Sequence, residues 1–150
     1  MIVGGVRRRY CGRAGQTLVE FSLVTFLTIV LLLAVVEISR MVLVYTTVAN
    51  AARAGARYAV VHGSDRTGGG ADGPSGPGNN PAEVVTVIKD FASAGLLTTS
   101  NLIVTVSYPG GSNLPGQLLS VTVIYPYDPF TSYFPLRVRL GSVTQGVILY

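Results

Sequence analysis

Cysteine is almost missing from this chain. The one present, Cys11, lies before Gly15. A chain beginning at Gln16 would hold no thiol, which excludes a disulfide, a thiolate zinc site and a cysteine nucleophile from it. Cys11 is then an incidental residue of the basic segment, with lipidation as the alternative. Tryptophan is absent and His62 is the only histidine. His62 stands beside Ser64 and Asp65, so all three residue types of a hydrolytic triad occur. A triad is positioned by separate elements of a scaffold. Here the three are near neighbours in a glycine-rich stretch, and catalysis is not expected.

Charge is also scarce. Charged residues make up 12% of the chain, against about 25% in an average domain. Eleven basic residues face seven acidic ones, and Arg7, Arg8, Arg9 and Arg13 all precede Gly15. Past Gly15, seven basic residues balance seven acidic ones. The pI of about 9.5 therefore belongs to the first fifteen residues. No basic stripe remains downstream, so no nucleic-acid partner is expected. No glycine-rich phosphate loop ends in lysine and serine or threonine. Asp65, Asp72 and Gly68-Gly69-Gly70 do not match the spacing of a calcium-binding repeat. No metal site or cofactor is expected.

Proline is absent from Gln16 to Val61, and Gly55 is the only glycine there. Good helix formers are frequent, which predicts one long helix over 16–61, roughly 69 Å in length. Residues 22–36 carry no charge. A bilayer core needs about 20 residues, so Leu18 to about Ile38 would span a membrane and the rest would project. Glu37 and Arg40, three apart, share a helix face and are placed to form an ion pair. Further on, Ala51 with Gly55 and Ala52 with Ala56 form small-xxx-small pairs, which let another backbone or a sheet approach. The approach is helix on sheet within one chain, or helix on helix between subunits.

The expected organisation is a basic leader at 1–15, the long helix at 16–61, a loop at 62–81 and an α+β domain at 82–150. The leader charges should stay cytoplasmic. No small-residue signal-peptidase site follows the apolar run, where Glu37-Ile38-Ser39-Arg40 stands instead. The loop holds seven glycines and three prolines and should form no packed core. Asn80 and Pro81 are expected as N-cap and first helical residue. Val84, Val87, Ile88 and Phe91 would form the apolar face of a short helix ending at Gly95. Leu102–Ser107, Leu118–Tyr125 and Leu136–Leu149 alternate as strands. Gly110, Gly111, Asn113, Pro115 and Gly116 would turn the first connection, and 126–135 the second. Gly141 or Gly146 is a candidate bulge. Arg137 and Arg139 suit the wet face of an edge strand. Tyr125, Tyr127, Phe130, Tyr133 and Phe134 either fill a core under a loop or form a contact patch. The fold class is α+β, a long helix packed on a small three-stranded antiparallel sheet.

Glu20 is the unusual residue. A carboxylate at the mouth of an apolar helix is costly unless paired. It lies beyond the first turn, where the helix dipole would favour it. Glu20 is either a tolerated headgroup-level acid or a functional one. Cleavage between Gly15 and Gln16 would create an ammonium at Gln16, and Glu20 could pair with that group on a neighbouring helix.

Three stretches carry a family resemblance: Gly15-Gln16-Thr17-Leu18-Val19-Glu20-Phe21, Val36-Glu37-Ile38-Ser39-Arg40, and Asn50-Ala51-Ala52-Arg53-Ala54-Gly55-Ala56-Arg57-Tyr58-Ala59. With Tyr125-Pro126-Tyr127 and a last strand, the chain resembles the TadE-like proteins, pseudopilins or minor pilins of the bacterial tight-adherence (Tad) pilus. Ile38 and Ser39 replace an aromatic and a glycine, and Ala54 stands where an acid is common. The resemblance implies that a prepilin peptidase cuts between Gly15 and Gln16, with Glu20 and Phe21 serving processing and assembly. It implies a non-enzymatic protein of the inner membrane, with its N-terminus cytoplasmic and its C-terminal domain outside. The partners implied are the peptidase, other pilins or pseudopilins, the secretion platform and membrane lipid. An uncleaved, single-pass anchored domain that binds a cell-surface partner is the competing reading.

Overall fold

The computed structural model describes residues 13–64, 81–95, 97–129 and 138–149. Residues 1–12 of the expected leader, 65–80 of the glycine-rich stretch, and 130–137 with Phe130, Tyr133, Phe134 and Arg137 lie outside the described residues. So do Asp65, Asp72 and the glycine triplet. The elements are α1 (Arg13–Val61), α2 (Ala82–Ala94), a 3-10 turn (Thr99–Asn101), β1 (Ile103–Ser107), β2 (Leu118–Tyr127) and β3 (Val138–Val147). The chain has the α+β class expected from its sequence.

By internal contacts the chain divides into two units, 1–38 and 39–150. In the first, α1 is apolar on all sides, and residues 15–36 are exposed without exception. A helix apolar on all sides has no wet face, and this one is long and apolar enough to cross a membrane. In the second unit α1 becomes one-sided. Val44, Val48, Ala51, Ala52, Ala56 and Ala59 are buried, a stripe at helical period. The buried stripe begins at Val44, six residues before the small-residue stretch that opens at Asn50. Val44 is no more apolar than its exposed neighbours Val42 and Leu43, so only packing separates them.

The sheet is an antiparallel meander in the order β1-β2-β3. Val121 of central β2 pairs with Val106 on one side and Thr144 on the other. Side chains alternate between faces, and Leu119, Val121 and Val123 are fully buried on the inner one. They join Val106 of β1, Val84, Ile88 and Ala92 of α2, and the α1 stripe in a single core.

Gly55 marks a close approach. A Cβ there would run into Ile88 Cγ1 and lie 2.5 Å from its Cδ1. The small residue lets α2 settle onto α1. Gly111 and Gly116 serve the β1–β2 connection differently, with φ of 70° and 85°, a region that costs other residues strain.

Several boundaries differ from expectation. Pro81 caps α2 rather than opening it: its ψ of 130° is extended, and helix begins at Ala82. The buried face of α2 is Val84, Ile88 and Ala92. Phe91 is exposed, because i+4 spacing rotates the stripe onto Ala92 instead. β2 continues through Pro126 to Tyr127, where a loop was expected. Proline lacks an N–H, but β1 pairs no further along β2 than Ile124. Pro126 therefore faces a strand on the β3 side alone and leaves no ladder donor missing against β1. β1 begins at Ile103, one residue late. β3 runs unbroken through Gly141 and Gly146, so neither glycine makes a bulge. Finally, His62 and Gly63 are buried, and the Ser64 amide donates to the Asn113 carbonyl at 3.1 Å. The start of the glycine-rich stretch thus packs against the β1–β2 connection.

Candidate functional site

Gly15, Gln16, Glu20 and Phe21 all lie on α1 and all are exposed. Among the described residues nothing stands within 4 Å of a Cβ built on Gly15, so this glycine relieves no crowding with them. Its physical effect is to weaken the helix locally, by about 1 kcal/mol relative to alanine. Gln16 and Glu20 are four apart, on one helix face. Glu20 stands on the eighth residue of α1, past the first turn.

Two of the polar side chains that follow, Ser22 and Thr28, are satisfied by the helix itself. Ser22 Oγ donates to the Val19 carbonyl at 2.9 Å, and Thr28 Oγ1 to the Val24 carbonyl at 2.8 Å. Such back-bonding removes the donor cost of a hydroxyl in lipid. Glu20 differs in kind, because a carboxylate has no proton to give a helix carbonyl. From Gly15 to Val61, α1 is long and apolar enough to cross a membrane, and none of its most apolar window is buried.

At residue 40 the character changes. The Arg40 guanidinium carbon lies 5.3 Å from the centroid of the Tyr127 ring, within cation–π range. Tyr127 is buried, so the arginine covers the edge of the core. Sequence reasoning assigned Arg40 only to Glu37, three positions earlier on α1. No sequence signal links Arg40 to a tyrosine so distant in the chain.

The small residues find their neighbours within this chain. Ala51, Ala52 and Ala56 are in the core, and Gly55 faces Ile88 and Val84 of α2. Sequence reasoning offered a sheet or another subunit as the neighbour and missed α2. His62 is buried, donates from Nδ1 to the Tyr58 carbonyl at 2.7 Å, and stacks on the Tyr58 ring at 3.8 Å. It is a packing residue at the end of α1, with Asp65 outside the described residues. Among the described residues, no group of three His, Cys, Asp or Glu side chains could hold a metal ion. A groove of about 580 Å³ opens between the end of α1 and β3, lined by Arg53, Arg57, Val60, Thr144, Gln145 and Gly146 among others.

The family model described as TadE-like protein matches residues 15–57. The matched segment starts at Gly15, contains the whole uncharged run, and ends within the small-residue stripe. No curated protein and no solved structure matches the chain. The match covers 43 of the chain's 150 residues.

Proposed function

We propose that this chain, TadE-like over residues 15–57, is a pseudopilin or minor pilin that joins a Tad-type pilus or its assembly platform after its leader is removed. One observation carries the reading. Glu20 is a lone acid on an apolar helix segment whose side chains are exposed on every side. Lipid covers the apolar groups of such a helix, but it gives a carboxylate nothing to pair with. An ammonium at Gln16 of a neighbouring helix does. Phe21 beside it adds apolar contact to the same encounter.

Prepilin peptidase is the processing partner in this reading, and other pilins or pseudopilins are the assembly partners. Glu37 and Arg40 would hold the helix at the outer membrane boundary, with the 39–150 unit outside. Peptidases take extended substrate, and Gly15 makes the helix easiest to open where the cut falls.

The deciding experiment is an intact-mass measurement on membrane-extracted protein. The expected mass is that of a chain beginning at Gln16, and Gly15→Val should shift it to full length. Full-length mass for both proteins would overturn the pilin reading. It would favour an uncleaved anchored domain, which the separate core of the 39–150 unit also suits.

A further inference from the structure

The unexplained feature of the outer unit is the far side of β3. Among the described residues β3 pairs with β2 alone. Ile148 donates to Gln117 and accepts from Gly116, which sets the phase of the ladder. Antiparallel pairing alternates direction along a strand. The backbone groups of Arg139, Gly141, Val143, Gln145 and Val147 therefore point away from β2. Leu149, next in that series, donates to the Val60 carbonyl at 2.9 Å, which shows that the series faces the end of α1.

Edge strands are commonly blunted by lysine, proline, a bulge or short length. β3 has ten residues, unbroken pairing, and neither proline nor lysine; its one charge, Arg139, lies at its start, and the end of α1 reaches it only at Gly146 and, just beyond it, Leu149. Its inner face is also left incomplete. Leu119, Val121 and Val123 of β2 are fully buried, while Leu140, Ser142, Thr144 and Gly146 of β3 are only half-buried. The groove beside them carries two arginines of α1, Arg53 and Arg57, both exposed. Arg53 is steadied by a bond from Nη1 to Asn50 Oδ1 at 3.1 Å.

We propose that this groove binds an extended, acidic segment of another polypeptide as a fourth strand on β3. The backbone of the segment would pair with the outward groups of residues 141–147, whose donors repeat about every 6.8 Å. Its inward side chains would complete the half-covered face, with carboxylates meeting Arg53 and Arg57. A second copy of this chain suits the groove poorly. Two β3 strands related by a twofold axis would bring both arginine pairs to the same face, and β3 itself carries no acid.

The test uses the full chain in detergent micelles and a fluorescein-labelled synthetic peptide, Thr-Glu-Val-Glu-Val-Glu-Thr. Saturable binding by anisotropy is expected, with amide NMR shifts at Val143, Gln145 and Val147. Arg53→Ala with Arg57→Ala should weaken binding about ten-fold, the scale of two exposed ion pairs. The same peptide N-methylated at alternate residues should lose binding in the phase that blocks edge pairing. Equal binding by a lysine-for-glutamate peptide would overturn the proposal. So would equal binding by both N-methylated phases, shifts confined to β1, or chain dimerisation at β3 with no peptide bound. Leader processing plays no part in these readouts, so their failure leaves the pilin reading standing.

Discussion

Glu20→Ala reaches the membrane at normal yield but no longer co-purifies with pilus partners: this is the result expected if the carboxylate serves assembly. The uncharged run at 22–36 inserts without it, and removing a charge from the mouth of an apolar helix makes insertion easier. Assembly is the step that suffers. If cleavage frees an ammonium at Gln16, each assembled helix would bring a positive group into a medium that cannot solvate it. Losing one member of a buried pair costs about 3–5 kcal/mol, or more than about a hundred-fold in affinity. Glu20→Gln keeps the shape and removes the charge, so it should fail to the same degree. Glu20→Asp retains the charge on a shorter stem and should keep part of the yield. The measurement is pull-down yield from detergent extracts, read beside the mature mass of each variant. The mass separates a processing defect from an assembly defect, since the peptidase would read the same turn of helix. A correctly processed Glu20→Ala protein that co-purifies at wild-type yield would reduce Glu20 to a tolerated headgroup acid.

The parts of the fold that were legible in the sequence were those set by local chemistry. An absence of proline over 16–61 and a run without charge admit little besides a long apolar helix, and α1 is that helix. Alternation announced three antiparallel strands, and the structure arranges them as a meander. What was illegible depended on packing between distant segments. Val44 and Leu43 are equivalent as residues, yet one is buried and the other exposed. Pro126 looked like a strand breaker, but it falls just beyond the reach of β1. Arg40 found Tyr127, and Gly55 found Ile88, through tertiary contacts that no spacing rule encodes. The candidate assembly residues divide the same way. Gly15 and Glu20 were conspicuous because they break the pattern around them. Arg53 and Arg57 were seen as part of a family-like stretch, but their groove appears only once β3 lies beside α1.

The contact at Gly55 should dominate the stability of the 39–150 unit. Ile88 is fully buried, and truncating it to alanine removes apolar area and leaves a void, at a cost of about 2–5 kcal/mol. Gly55→Ala pulls in two directions. It favours the helix by about 1 kcal/mol, but its Cβ collides with the Ile88 side chain, and overpacking costs about 1–3 kcal/mol. The obstacle is a branched side chain held on both sides by core neighbours, so repulsion is expected to win and the single variant to be destabilised. In the Ile88→Ala background the obstacle is gone. There Gly55→Ala should change sign, filling part of the void while keeping its helix advantage. The double-mutant cycle therefore has a predicted coupling of about 1–3 kcal/mol, read from thermal unfolding of the four full-length proteins in detergent. Additive losses would mean that α2 does not rest on Gly55. The small residues would then be left available for contact with a neighbouring helix, the other partner that their spacing allows.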